Sequence, residues 1–347
     1  MGFLIQLMER GVLPDAVIRH GIRRMLAKRL AEIDHGDGDV NWERQNELMT
    51  VLAGGPLAVA TEDANRQHYE LPPEFFELVL GPRRKYSCCL YPAGTNDIAS
   101  AEEQMLQLTC ERAGVADGMN ILELGCGWGS LTLWMAEKYP LARITAVSNS
   151  HPQREFIVRT CRERGFANVG VITADMLDFS PDGRYDRIVS VEMFEHMRNY
   201  RELFRRIAGW LTDDGRLFVH IFCHREHAYL FEADGDDDWM GRYFFTGGLM
   251  PSVAMPYCFN EHLTVERHWR VCGTHYQRTC EDWLKRQDSR REAVMAVLER
   301  VYGSDASVWF RRWRVFFMAC AELFGYHHGN EWLVGHYTMR RNRTSSA

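Results

Sequence analysis

The chain has 347 residues, 46% apolar and 25% charged, a globular composition far from that of disordered chains. That length predicts two domains, or one large α/β domain with an appended or inserted subdomain. A net charge of −6 leaves no basic excess for wholesale nucleic-acid binding, and the scarcity of lysine (four of 41 basic residues) reads as coding bias, not phosphate recognition.

The first residues, MGFLIQLMER, lack the basic flank, apolar core and cleavage site of a signal peptide, and Gln6 spoils a myristoylation motif. No apolar run reaches the roughly 18 residues of a membrane span. The ten cysteines form no CxxC, and two, Cys88 and Cys89, are adjacent. Such scatter fits buried reduced thiols and predicts a cytosolic protein.

From Phe3 to about Ile33, apolar residues at Ile18, Ile22, Leu26, Leu30 and Ile33 alternate with arginines, which predicts one amphipathic helix. Its basic face suits a surface helix capping the next domain better than a membrane anchor. The HGDGD stretch (His35 to Asp39) ends it, and Pro72-Pro73 opens a short helix closed by Gly81-Pro82. Residues 1–80 therefore read as an N-terminal helical region and 81–347 as the main domain. From Asn120 the texture changes. Apolar runs at ILELG, RITAVS, VGVITAD, DRIVSVE and RLFVHIF alternate with the helical LTLWMAEKY, HPQREFIVRTCRERG and NYRELFRRIAGWL. That alternation predicts a doubly wound, Rossmann-like parallel sheet. The interval at about 223–262 is too long for a passive connection and reads as a lid or substrate insert. Its acid run at Glu232 to Asp238 reads as a solvated face. A strand (LTVERHWRV), helices over about 280–302 and 305–324 and a closing strand (EWLVGHYTM) complete the chain.

Glu123-Leu-Gly125-Cys-Gly127-Trp-Gly129 falls between a strand and a helix, where glycines let backbone approach a ligand. It is GxGxG, not the dinucleotide GxGxxG. Ser148-Asn149 replace the ribose-binding acid, and no Walker lysine follows. The acid before the first glycine points to S-adenosylmethionine (SAM). Glu192-Met-Phe-Glu195-His196 ends the fourth strand, at the edge where open α/β sheets bind ligands. An aliphatic ammonium with a pKa near 10.4 costs about 4 kcal/mol to deprotonate at pH 7. A Glu–His cluster can hold such a cation and take its proton.

Several motifs occur in order: KYSCCLY (Lys85 to Tyr91), the glycine loop, SNSHPQREFI, TADM, VSVEMFEHMRNY, VHIFCHR, YFFTGGLMPS and ACAELFGY. Together, from about residue 62 onward, they resemble the coclaurine N-methyltransferase-like branch of the cyclopropane-fatty-acid synthase superfamily, class I SAM-dependent methyltransferases. The resemblance implies SAM as cofactor, S-adenosylhomocysteine as product and a small, alkaloid-like amine as substrate. It also implies cofactor contacts at Tyr86, Ser87, Glu123, Gly125, Gly127, Ser148, Asn149, Gln153, Asp175 and Met176. Glu192 and His196 become the catalytic pair, the first orienting the cationic amine and the second acting as general base, with Glu195 bracing His196 or the substrate. In cyclopropane synthases a glycine stands at position 192, and a bicarbonate lies among a cysteine region, a glutamate, a histidine and a tyrosine. Here Cys88, Glu195 and His220 persist, while the tyrosine falls at Phe316-Phe317, which has no donor. The expected reaction is methyl transfer to nitrogen by direct displacement. A lipid methyltransferase or cyclopropane synthase, and a non-catalytic SAM-binding protein, are the alternatives. His220, Tyr243, Phe244, Phe316 and Phe317 are the candidate substrate contacts, within an aromatic set that includes Trp239, Phe245, Tyr257 and Phe259. Cys320 reads as a packed core cysteine. His220, His224 and His227 lack the spacing of a metal site, so no metal is expected. The oligomeric state, a homodimer included, is open.

Overall fold

The structure is a computed structural model that describes residues 2–59, 71–231, 239–244 and 247–342. The N-terminal region forms α1 (Gly2–Glu9), α2 (Asp15–Ile33) and α3 (Gly38–Gly54). The single helix expected over 3–33 is thus two. Gly11 takes φ 73°, and Pro14, which has no N–H to donate, caps the new helix. On α2, Arg19 pairs with Glu281 and Glu322, and Arg23 with Glu322, so these two arginines of the basic face turn toward the protein. α3 begins where Asp37 accepts hydrogen bonds from the N–H groups of Asp39 and Val40. Two more helices, α4 (Pro73–Val79) and α5 (Ile98–Ala113), lead into the sheet.

The alternating region forms β1 (Asn120–Leu124), α6 (Ser130–Lys138), β2 (Arg143–Ser148), α7 (His151–Arg164), β3 (Val169–Thr173), β4 (Tyr185–Val191), α8 (Tyr200–Trp210) and β5 (Leu211–His224). The interval after β5 holds a small ribbon of β6 (Tyr229–Leu230) and β7 (Leu249–Met250), with α9 (Trp239–Tyr243) between them. The acid run and Phe245 lie outside the described residues. The chain ends with β8 (Leu263–Val271), α10 (Gly273–Ser289), α11 (Arg291–Tyr302), α12 (Ala306–Gly325) and β9 (Trp332–Arg341). The helix expected over 280–302 is two helices that meet at Arg290, and the first begins at Gly273.

The sheet order is β3-β2-β1-β4-β5-β9-β8; neighbouring strands from β3 to β5 run parallel, and β9 runs antiparallel to both β5 and β8. Leu122, Leu124, Ile188, Val189, Leu217 and Phe218 are buried in the central strands, which explains their continuous apolar runs. Because β1 is flanked by β2 on one side and β4 on the other, the connections reverse there. A crevice opens at such a switch point, beyond the C-terminal ends of β1 and β4. Gly125 follows β1 and Glu192 follows β4.

Candidate active site

Two adjoining cavities share Gly125, Gly127 and Glu192. One is lined also by Ser148, Asn149, Gln153, Asp175, Met176 and His196, the other by Lys85, Tyr86, Ser87 and Glu123. All ten residues expected to contact the cofactor therefore line one crevice. Gly125, Gly127 and Gly129 have φ of 79°, 51° and 77°, left-handed values that other residues rarely adopt. A Cβ on Gly125 would strike Met193, and one on Gly129 would strike Ile157, whereas one on Gly127 would meet no protein atom within 4 Å. Gly127 thus lies bare on the cavity.

Each lining group has a local cause. Glu102, buried on α5, accepts hydrogen bonds from the N–H groups of Arg83 and Lys85 and so holds the segment that presents Tyr86 and Ser87. Burial raises its carboxyl to about 7. Ser150 caps α7, and the Ser148 hydroxyl donates to Gln153 Oε1 at 2.6 Å. Gln153 Nε2 is buried with no protein partner among the described residues, so the amide leaves a polar group facing the crevice. Asp175 Oδ1 accepts from Leu177 N–H. Glu123 is buried against the Thr132 hydroxyl, and desolvation lifts it to about 8. A bare glycine surface, an orphaned buried amide and two carboxylates along one crevice fit the methionine, ribose and adenine parts of SAM.

Glu192 ends β4 with φ 48°, in the left-handed region, a strain of about 1–3 kcal/mol for a residue with a side chain. Its N–H donates to the His220 carbonyl at 2.8 Å. Its carboxylate accepts from Cys88 N–H (3.1 Å) and His220 Nε2 (3.2 Å) on Oε1, and from the Tyr276 hydroxyl (2.5 Å) on Oε2. Those bonds fill three of the about four lone-pair directions of a carboxylate. Burial raises the Glu192 pKa, against the charge of buried Lys85 and the hydrogen bonds from Tyr276 and Cys88. Glu195 is also buried, lines neither cavity and leaves Oε2 without a partner among the described residues. Burial, then the neighbouring Glu192 charge, pushes its carboxyl well up. Of this pair Glu195 is the more strongly raised. Desolvation lowers His196 to about 4, so its ring is neutral near pH 7.

The other candidates are placed differently. His220 lies directly behind Glu192, away from the cavity surface. Phe244 stacks on Phe316 at 4.4 Å beside Trp313, and Phe317 packs against Trp283 and Trp313. All three phenylalanines are core. Tyr243 lies under the Arg312 guanidinium, Phe259 is buried and Tyr257 is exposed. Cys320 is half-buried and touches Cys280. His224 and His227 stack on one another, and among the described residues no group of His, Cys, Asp or Glu is arranged to hold a metal ion. Nor is any described helix long and apolar enough to cross a membrane. Sequence reasoning did not find Lys85, Tyr276, His336 or Arg112. The one available signal was a histidine in the closing strand, at the period-2 positions shared with Trp332 and Val334.

A parallel sheet closed by an antiparallel pair, with a glycine crevice that ends on a carboxylate and no phosphate cradle, is the frame of a class I SAM-dependent methyltransferase. The sequence model of the mycolic acid cyclopropane synthetase family matches residues 59–331. The chain belongs to that family, in its coclaurine N-methyltransferase-like branch. It is 38% identical to (S)-coclaurine N-methyltransferase of Thalictrum flavum subsp. glaucum, over 97% of this chain and 95% of that one. It is 33% identical to pavine N-methyltransferase of the same plant, over 97% of this chain and 96% of the other. The crystal structure of coclaurine N-methyltransferase bound to N-methylheliamine and S-adenosylhomocysteine superposes with a TM-score of 0.94 at 37% identity, covering 97% of this chain and 98% of that one. The protein is a SAM-dependent N-methyltransferase.

Proposed function

We propose that the substrate is a small aromatic, alkaloid-like amine, bound with its nitrogen between Glu192 and His196. Bound SAM supplies an electrophilic methyl group on a sulfonium. Glu192 Oε2 holds the ammonium in line through its remaining lone pair, and a ring nitrogen of His196 takes the proton, freeing the nitrogen pair for attack. Buried Glu195, protonated, keeps a second negative charge out of the site. The observation that carries this reading is the Glu192 carboxylate itself. It already occupies the donors, Cys88 N–H, His220 and a tyrosine hydroxyl, that an external bicarbonate would need. Phe316-Phe317 offers no donor, whereas the Tyr276 hydroxyl of α10 is already engaged by Glu192.

Related parts of the reading are that residues 223–262 act as the substrate lid and that the protein works in a reducing compartment. The first is supported by α9, whose Trp239 donates to Glu9 of α1, and by Phe244 just after it, which packs on α12. The second is supported by ten unbridged cysteines.

The test is methylation rate in bicarbonate-free buffer, with and without added bicarbonate or formate, for wild type and Glu192→Gly. Wild type is expected to be indifferent to the anions. Glu192→Gly loses roughly 10² to 10⁴ in rate and regains part of it with either anion. Strong stimulation of wild type by bicarbonate, with a fully active glycine variant, would move the protein to the cyclopropane-type alternative. SAM binding without turnover on any amine would leave it a non-catalytic binder.

A further inference from the structure

A row of rings crosses the sheet and ends at Glu192. Trp269 of β8 is paired with His336 of β9, His336 with His220 of β5, and His220 with Val191 of β4, the residue before Glu192. Arg112, at the end of α5, lays its guanidinium over Trp269. Its NH1 is 2.8 Å from His336 Nδ1, His336 Nε2 is 2.8 Å from His220 Nδ1, and His220 Nε2 is 3.2 Å from Glu192 Oε1. Both rings are 0% exposed.

A guanidinium only donates. His336 Nδ1 must therefore accept, and in a neutral ring the proton then sits on Nε2, which donates to His220 Nδ1. The same logic puts the His220 proton on Nε2, aimed at Glu192. One obligate donor at the surface thus dictates both tautomers and the last hydrogen bond at the catalytic carboxylate.

We propose that Arg112 and His336 are positioning residues which, through His220, hold Glu192 in its ionised form and fixed orientation, and that the chain is polarised against carrying the amine's proton away. The proposal rests on the reading that Glu192 faces the amine. To accept a proton from Glu192, His220 Nε2 would need a free lone pair. Every link would then reverse, and Arg112 would have to accept, which it cannot do. The amine's proton leaves on the His196 side. The other groups facing this chain agree with that polarity. Lys85, His196, Tyr276, Cys88 and Glu195 face Glu192; Lys85 faces both relay rings, and His268 faces His336. Burial, with the Lys85 and Arg112 charges, drives both rings well below the ordinary histidine range, so they stay neutral.

Arg112 is half-buried in the last turn of α5, and circular dichroism of each variant checks that the fold is kept. The experiment compares Arg112→Lys, which keeps an obligate donor, with Arg112→Glu, which ends the chain in an acceptor. In Arg112→Glu the links reverse and His220 offers Glu192 a lone pair. The carboxylate must then take a proton. The acid limb of the kcat/KM–pH profile moves up by about one unit or more, and kcat at pH 7 falls roughly tenfold, while SAM affinity by calorimetry holds. Arg112→Lys rescues both quantities. Nitrogen-15 histidine spectra of the full chain read the tautomers directly. Both rings should be neutral with the proton on Nε2 between pH 6 and 9 in wild type, and on Nδ1 in Arg112→Glu. A wild-type pH profile in Arg112→Glu, or a wild-type ring that is cationic or protonated on Nδ1, overturns the proposal. Should Glu192→Gln prove fully active, the reading of the catalytic centre fails, while the spectra still decide the chain's polarity.

Discussion

His220 and His224 lie on the same strand, β5, and each sets its Nε2 3.2 Å from a carboxylate, Glu192 in one case and Glu331 in the other. The surroundings separate them. His224 Nδ1 accepts from the N–H groups of Glu226 and His227, which closes the turn after β5. Glu331 also holds Arg225 and His327, so it has three protein partners as Glu192 does, but it lines neither cavity of the crevice. His220 Nδ1 accepts instead from a second ring, and Glu192 keeps one side open to the crevice. A buried imidazole–carboxylate pair is therefore a brace or a working group according to what stands behind the ring and whether the carboxylate meets a void.

The largest expected effect tests that contrast directly. Glu192→Gln should lower turnover by roughly 10² to 10⁴ with little change in SAM affinity. Glu331→Gln should leave turnover intact and cost about 1–3 kcal/mol of stability in denaturant titration, because it weakens a buried charged network. A comparable loss of turnover in both would erase the distinction.

An intermediate effect comes from pH. Burial holds His224 and His196 near 4 in the folded state, against about 6.5 unfolded. The unfolded chain binds more protons in that interval, so stability falls as pH drops from about 6.5 toward 4, by up to about 3 kcal/mol per ring. Denaturation midpoints at pH 7 and 5 measure the slope, and His224→Gln should flatten part of it. Both rings are neutral above pH 6, so the rate there should follow the ionisation of the substrate amine. A rate limb near 6.5 that ignores the choice of amine would contradict the low His196 value.

The smallest effect is at His327, whose side chain is 62% exposed although it touches Glu331. His327→Asn, which tolerates the left-handed backbone there, should change stability by less than about 0.5 kcal/mol. A larger cost would mean that the brace extends to the surface.

The parallel sheet was readable because its central strands are buried on both faces and so appear as unbroken apolar runs. The glycine loop was readable because its chemistry lies within a few residues. Both halves of Glu192's environment were harder. Cys88, His220 and Tyr276 come from three distant stretches, and only the β4–β5 register and the packing of α10 bring them to one carboxylate. Phe316 and Phe317 were harder to place from sequence, because aromatics serve pockets and cores alike; in the fold both pack against Trp313. The division of the first helix was missed because the periodic positions, Ile18 to Ile33, all lie beyond Pro14 and were extended back to Phe3.

The left-handed backbone at Glu192 has a consequence on another timescale. Glycine fits that conformation without strain, and glycine and glutamate codons can differ by a single base. At this strand end the two residues are thus one base change apart, and a glycine would leave the Cys88 N–H, His220 and Tyr276 donors facing an emptied pocket, sized for a small carboxylate from solution.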